Sequence, residues 1–159
     1  MHDWIRLATL LAALLPACLH AQEAPASKPA LPDFDATLAA KLGADAYGMR
    51  RYVMAFLKAG PNRDRSPAEA AELQRAHMTN IRRLAEQGKL ALAGPFLDDG
   101  EFRGIYIFAV DTVEEARQLT ATDPAIQAGS LEMELHPWYG SAAVMKINDL
   151  HTRIARERP

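Results

Sequence analysis

The sequence predicts an α+β domain built on a four-stranded antiparallel sheet, and three features of the chain lead to that prediction. Four strand-like segments and two capped helices follow one another in the order strand, helix, strand, strand, helix, strand. The first and third strands are apolar on both faces, whereas the fourth alternates between apolar and polar side chains, as an edge strand does. With right-handed crossovers the two halves interleave into one sheet with helices on one face, which is the ferredoxin-like fold.

The composition is that of a folded chain and excludes several classes of function. Of 159 residues, 49% are apolar and 24% are charged, with a formal net charge of -2. This balance excludes long disorder as the main state, and the lack of a basic stripe argues against a nucleic-acid partner. The length suits a single domain with one core.

Residues 1–21 have the organisation of a secretory signal peptide. The apolar run Leu7–Leu15 is too short to span a bilayer, and Ala21 offers a small residue for cleavage. A bacterial lipoprotein signal is the alternative, because the tetrapeptide LPAC ending at Cys18 resembles a lipobox, and Cys18 would then carry a lipid anchor. The signal peptide predicts a periplasmic or secreted protein, and the alternative predicts a membrane-anchored lipoprotein.

The rest of the chain divides into four segments. Residues 22–34 are rich in proline and predict a disordered linker. Residues 35–50 predict a short helical lead-in, because Asp35 can cap a helix that a glycine ends. The ferredoxin-like domain is expected over residues 51–138, and residues 139–159 predict a C-terminal arm or helix.

Two capping boxes define the helices of the domain. Ser66 and Glu69 flank a proline at the first helical position and predict a helix that Gly88 closes. Thr112 and Glu115 predict a second helix by the same logic. The four strands are expected near residues 52–57, 90–96, 104–110 and 131–138. The inward stripe of the first helix is predicted to contain Ala70, Leu73, His77, Ile81 and Leu84.

His77 is the most informative polar residue, because it lies on an apolar helix stripe where leucine would pack better. It can serve as a general acid or base if a carboxylate orients the imidazole ring. A hydrogen-bonded core histidine is the alternative interpretation. Asp123 could supply that carboxylate, although an aspartate before proline is also a common turn starter.

Four further residues are candidate ligand-binding positions. Gly94 and Pro95 interrupt the second strand, which indicates either an edge bulge or a place where a ligand approaches the backbone. His136 and Trp138 end the last strand, where they could wall a pocket or pack in a core or dimer interface. No metal-ligand spacing, nucleotide-binding loop or nucleophile motif is present, so we expect no metal and no cofactor.

The chain resembles the YCII-related domain family over residues 51–138. The resemblance implies a ferredoxin-like domain that dimerises into an α/β barrel, with an active site around a histidine and an aspartate that match His77 and Asp123. One branch of that family resembles dehydrochlorinases of chlorinated hydroquinones. This sequence departs from the family pattern in its leader, in its long tail and in Ala125, where members often place an aromatic residue. The resemblance rests on His77, Leu84, Gly88, Ala93-Gly94-Pro95, Gly104, Asp123-Pro124, Ala128-Gly129 and Pro137-Trp138.

The sheet predicts a partner, because helices can cover only one of its faces. Tyr52, Met54 and Phe56, or their alternates, need another cover, and the same face of a second subunit supplies it in a homodimer.

Two functions remain open. The first is a small enzyme of lyase or hydrolase type that uses His77 and Asp123 for proton transfer on a small organic molecule. The alternative is a non-catalytic dimeric module that binds a small ligand or another envelope protein.

Overall fold

The computed structural model describes Leu31 and residues 33–157 of the chain. The predicted signal peptide, its cleavage site and the candidate lipid anchor Cys18 lie outside these residues, as does most of the predicted linker. The chain divides into two units, and every helix and strand below belongs to the second, Asp35–Pro159. Within the described residues, no helix has both the length and the apolar character needed to cross a bilayer.

The described residues confirm the α+β prediction and its ferredoxin-like sheet. All strand pairs are antiparallel, in the order β2-β3-β1-β4, so the first and third strands are central as predicted. The elements in chain order are α1 (Ala36–Leu42), β1 (Met49–Ala59), α2 (Pro67–Glu86), β2 (Leu90–Pro95), β3 (Phe102–Phe108), α3 (Val113–Thr120), α4 (Pro124–Gln127), β4 (Leu131–Ser141), a 3-10 helix (Ala142–Lys146) and α5 (Ile147–Ile154).

Both predicted capping boxes form. The Ser66 hydroxyl accepts a hydrogen bond from the backbone of Glu69, whose carboxylate accepts one in return at the start of α2. Thr112 and Glu115 do the same for α3. Each box satisfies backbone N–H groups that a helix leaves unpaired at its start, which explains why both helices begin where the sequence predicts. Ala70 was wrongly placed on the inward stripe: it is exposed, because it faces an open cleft.

Several strand boundaries differ from the prediction, and one helix was not predicted. β3 was expected over residues 104–110 but covers Phe102–Phe108, where its backbone pairs with β1. β1 and β4 pair over their full lengths, from Met49 opposite Ser141 to Ala59 opposite Leu131. β4 therefore continues past Trp138, because its backbone still finds partners on β1. The four-residue helix α4 was not predicted, since the sequence around Asp123 indicated only a turn. α4 packs against α2, so the backbone around Asp123, the N-cap of α4, lies next to the helix that carries His77.

The main core lies between the helices and one face of the sheet. On the opposite face, Tyr52 is buried against Trp138 and against Val144 and Met145 of the 3-10 helix. The expectation that Tyr52 needs a second subunit was therefore wrong, because the chain's own tail covers it. The main core is formed by Val53, Ala55, Leu57, Leu84, Leu90, Tyr106, Phe108, Val110 and Ala116.

Candidate active site

His77 and Asp123 meet in the interior beside α2. The Nδ1 atom of His77 lies 2.9 Å from each carboxylate oxygen of Asp123. The two residues are only 7% and 1% exposed, so little water competes for this contact. Oδ1 of Asp123 also accepts a hydrogen bond of 2.9 Å from the backbone N–H of Ala125. Asp123 thus both starts the turn into α4 and orients the imidazole ring. The interpretation as a turn starter and the interpretation as the carboxylate partner of His77 are therefore compatible.

The partners of the imidazole ring assign its neutral tautomer. An ionised carboxylate can only accept, so Nδ1 of His77 carries the proton and donates it to Asp123. Nε2 is then unprotonated and accepts a hydrogen bond from the Tyr106 hydroxyl, whose oxygen lies 3.3 Å away. Asp123, His77 and Tyr106 therefore form a chain of hydrogen-bonded side chains. The imidazole ring lies between the carboxylate and the phenol, and Nε2 is its basic nitrogen.

Tyr106 is a site residue that the sequence analysis missed. It lies on the core face of β3 and is 3% exposed. Burial, and after it the negative charge of Asp123, raises the pKa of the Tyr106 phenol well above its usual range, so the hydroxyl keeps its proton and donates. The available signal was a hydroxyl among the apolar residues Ile105, Ile107 and Phe108, which is the kind of signal that singled out His77 on its helix.

A second polar cluster fixes the backbone next to the site. Nη2 of Arg83 donates to Oδ1 of Asn80 at 2.6 Å and to the hydroxyl of Thr122 at 2.9 Å. Arg83 and Asn80 lie on α2, whereas Thr122 immediately precedes Asp123. The cluster ties the turn that carries the aspartate to the helix that carries the histidine, and it restrains the distance between the two.

The site opens into a cleft of about 1350 Å³. His77 and Tyr106 line this cleft, as do the candidate ligand-binding residues Gly94 and Pro95 at the end of edge strand β2. Residues of α5 form another part of its lining, and Asn148 ties α5 to the sheet edge by donating a 2.8 Å hydrogen bond to the carbonyl of Leu90. The cleft is large enough for a small organic ligand, and its lining includes three of the predicted site residues, His77, Gly94 and Pro95.

His136 and Trp138 are not part of this cleft. The alternation of β4 places them on the face opposite Leu135, which packs in the main core. The ring of Trp138 lies 5.4 Å from that of Tyr52, and His136 contacts Glu134 at 2.8 Å. The structure therefore separates both residues from His77, and ligand binding by either of them stays a prediction.

Within the described part of the chain, no three His, Cys, Asp or Glu side chains are grouped so that they could hold a metal ion. The chemistry that the site offers is proton transfer by a buried imidazole with a carboxylate on one side and a phenol on the other.

The model of the YCII-related domain matches residues 52–139, more than half of the chain. The chain belongs to the YCII-related family. This confirms the resemblance seen in the sequence. The YCII-related chain is also 32% identical over 62 residues to the uncharacterised protein YjpA of Bacillus subtilis (strain 168), covering 39% of this chain and 71% of YjpA.

Among solved structures, the chain is similar to 5-chloro-2-hydroxyhydroquinone dehydrochlorinase (TftG) from Burkholderia phenoliruptrix AC1100, in its complex with 2,5-dihydroxybenzoquinone. The TM-score is 0.42 and the sequence identity is 18%, over 56% of this chain and 93% of TftG.

Proposed function

We propose that this YCII-related protein is a small enzyme that uses His77 and Asp123 to move protons on a small organic molecule. The observation that carries the proposal is the buried 2.9 Å contact between the two side chains at the wall of an open cleft. A histidine that served only packing would not need both oxygens of a buried carboxylate. Perturbed or paired ionisable groups that face a cleft are typical of catalytic sites.

Each side chain has a role in the proposed reaction. Nε2 of His77 is the general base that accepts a proton from the substrate or from a water molecule. Asp123 stabilises the imidazolium that forms and keeps the ring in one orientation, because it holds the proton on Nδ1. The imidazolium then returns the proton to the leaving group. The sequence of steps suits an elimination or a hydrolysis, so the enzyme is of lyase or hydrolase type.

Tyr106 acts beside the basic nitrogen. Its hydroxyl lies 3.3 Å from Nε2, a long distance for a hydrogen bond, so a substrate group can replace it at little cost. Because the phenol stays neutral, it can donate a hydrogen bond to an oxygen of the substrate while Nε2 takes the proton. Tyr106 is therefore the proposed donor that orients the reacting group.

A homodimer is part of this proposal. Met54 and Phe56 are half-buried on the sheet face opposite the cleft, and Phe102 packs on Phe56 with ring centroids 5.3 Å apart and is 39% exposed. These side chains form an apolar patch that the 3-10 helix leaves open, and the same patch of a second subunit would cover it. The proposed site lies on the other face of the sheet, where Tyr106 packs in the main core.

The experiment is a turnover screen of small activated esters and halogenated or hydroxylated organic acids, repeated with His77→Asn on every substrate found. General acid–base groups commonly contribute about a hundred- to ten-thousand-fold, so His77→Asn should lose most of the turnover while the fold persists. His136→Asn is the matched control, because it changes a histidine on the opposite face of the sheet. Turnover that survives in His77→Asn would contradict the catalytic role of His77, and a wild type that turns over none of these substrates would favour the ligand-binding module.

A further inference from the structure

The cleft has a charge opposite to that of the chain as a whole. The formal net charge of the protein is -2, yet among the described residues that line the cleft arginines outnumber carboxylates. One of those carboxylates, Asp149, is already paired with Lys146 at 2.5 Å. Positive charge is therefore concentrated around the site. The arginines are Arg63, Arg65, Arg82, Arg103 and Arg156, and the carboxylates are Glu86, Asp149 and Glu157.

Two of these arginines are held next to the turn that carries Asp123. Nη2 of Arg65 donates to the carbonyl of Ala128 at 2.6 Å, and Nη1 of Arg63 donates to the carbonyl of Ser130 at 3.4 Å. Ala128 and Ser130 follow α4, the helix that Asp123 starts. A guanidinium has five N–H donors, and these contacts with backbone carbonyls fix the two side chains in place while leaving donors for a ligand.

Arg103 approaches the cleft from the sheet. It lies on β3, and its Nη1 donates a long hydrogen bond of 3.5 Å to the carbonyl of Gly100. Within the described residues, Arg63, Arg65 and Arg103 form no ion pair. Three guanidinium groups thus line one cleft without a carboxylate at ion-pair distance, although Arg65 also attracts the Glu69 carboxylate at the start of α2. Arginines that keep free donors in a cleft are suited to recognise an anion.

The same cleft has an apolar lining, so an inorganic anion would leave most of it unused. We propose that the cleft binds small organic carboxylates with an apolar body, the carboxylate on the arginines Arg63, Arg65 and Arg103 and the body on the apolar side chains. The inference rests on the proposed function, because it names the substrate class of that site. The apolar lining includes Leu73, Met78, Ile81, Leu92, Leu131 and Ile147.

The test compares carboxylic acids with their neutral amides on the full-length folded protein. Benzoate, 2-hydroxybenzoate and phenylacetate are titrated against benzamide, 2-hydroxybenzamide and phenylacetamide, and the methyl signals of Ile81 and Leu131 are followed by NMR. We expect saturable shifts with at least one acid and at least about tenfold weaker binding of its amide, since a charge-assisted contact is worth roughly a factor of ten or more. If no acid binds, or if acid and amide bind equally, the inference is wrong.

Variants assign the binding to the arginines. Arg63→Gln, Arg65→Gln and Arg103→Gln should each weaken the acid by several-fold to about tenfold, and Arg103→Lys should restore part of the loss because it keeps the charge. Arg75→Gln is the control: Arg75 is an exposed residue of α2 paired with Glu72, so the change in net charge is the same. An equal loss in the control would show a general charge effect and overturn the assignment.

The two proposals fail separately. If acids and amides bind alike while turnover depends on His77, the enzyme stands and the substrate class is wrong. If the acids bind through the arginines while turnover survives in His77→Asn, the anion site stands and the catalytic role is wrong.

Discussion

Asp123 presents both of its carboxylate oxygens to Nδ1 of His77 at 2.9 Å, across a sequence separation of 46 residues. One of these oxygens also accepts the backbone N–H of Ala125, so the same carboxylate starts a helix and orients an imidazole. The geometry of the site is therefore coupled to the local fold. A change at Asp123 has a structural and a chemical consequence, and the choice of substitution separates them.

The structural role of Asp123 is tested by comparing two substitutions. Asp123→Asn keeps an oxygen that can accept the Ala125 N–H, whereas Asp123→Ala removes both the cap and the partner of His77. Loss of a helix N-cap lowers the free energy of unfolding by about 0.5–2 kcal/mol. The buried imidazole N–H that is left without an acceptor lowers it further. We expect Asp123→Ala to lower the free energy of unfolding by about 1–2 kcal/mol more than Asp123→Asn does, as measured by urea denaturation. Equal midpoints for the two variants would contradict the capping role.

The stability of the protein should depend on Tyr106 at high pH. Burial, and then the charge of Asp123, raises the pKa of Tyr106 above the ordinary tyrosine value of 10.0. The unfolded chain releases this proton at lower pH than the folded chain does, so the contribution is fully present below pH 10 and is lost as the pH rises above it. Above that pH, wild type should lose about 1.4 kcal/mol per pH unit more than Tyr106→Phe.

Urea unfolding of both proteins at several pH values below and above the ordinary tyrosine pKa of 10.0 measures this difference in the free energy of unfolding. Because wild type and Tyr106→Phe share all other tyrosines, the difference between their pH profiles reports the titration of Tyr106 alone. If the free energies of unfolding of the two proteins fall in parallel above the ordinary tyrosine pKa, the phenol of Tyr106 is not buried.

Much of this fold was predictable, because its signals are local. The capping boxes at Ser66 and Thr112 and the alternation of β4 each depend on side chains a few residues apart. The tail was predicted only as an arm or helix, and its cover of Tyr52 was not foreseen, because that contact joins residues far apart in the sequence.

The site was predictable only in part for the same reason. A polar ring on an apolar stripe identified His77, but its contact with Asp123 depends on α4, a helix too short to show in the sequence pattern. Tyr106 was missed because tyrosine is common in strands, so its hydroxyl did not stand out. Trp138 lies away from the cleft because the alternation of β4 turns its side chain to the face opposite Leu135, and the pairing of β4 with β1 sets it beside Tyr52.

The proposed homodimer is tested at Phe56. A lysine at this half-buried position would place an unpaired charge in an apolar interface, so Phe56→Lys should shift the protein from dimer to monomer in light scattering. Leu38→Lys, which makes the same kind of change on α1, should remain dimeric. Wild type that is monomeric at micromolar concentration, or a Phe56→Lys protein that stays dimeric, would contradict an interface through this face.

In the proposed site Asp123 holds the proton on Nδ1 of His77, so that Nε2 is the basic nitrogen beside Tyr106. The tautomer of His77 can be read directly from the long-range proton–nitrogen correlations of its imidazole ring near neutral pH. Wild type should show a protonated Nδ1 and an unprotonated Nε2, and Asp123→Asn should weaken that preference because a neutral amide is a poorer acceptor. A wild-type ring protonated on Nε2 alone would contradict this role of Asp123 and leave His77 without a basic nitrogen beside Tyr106.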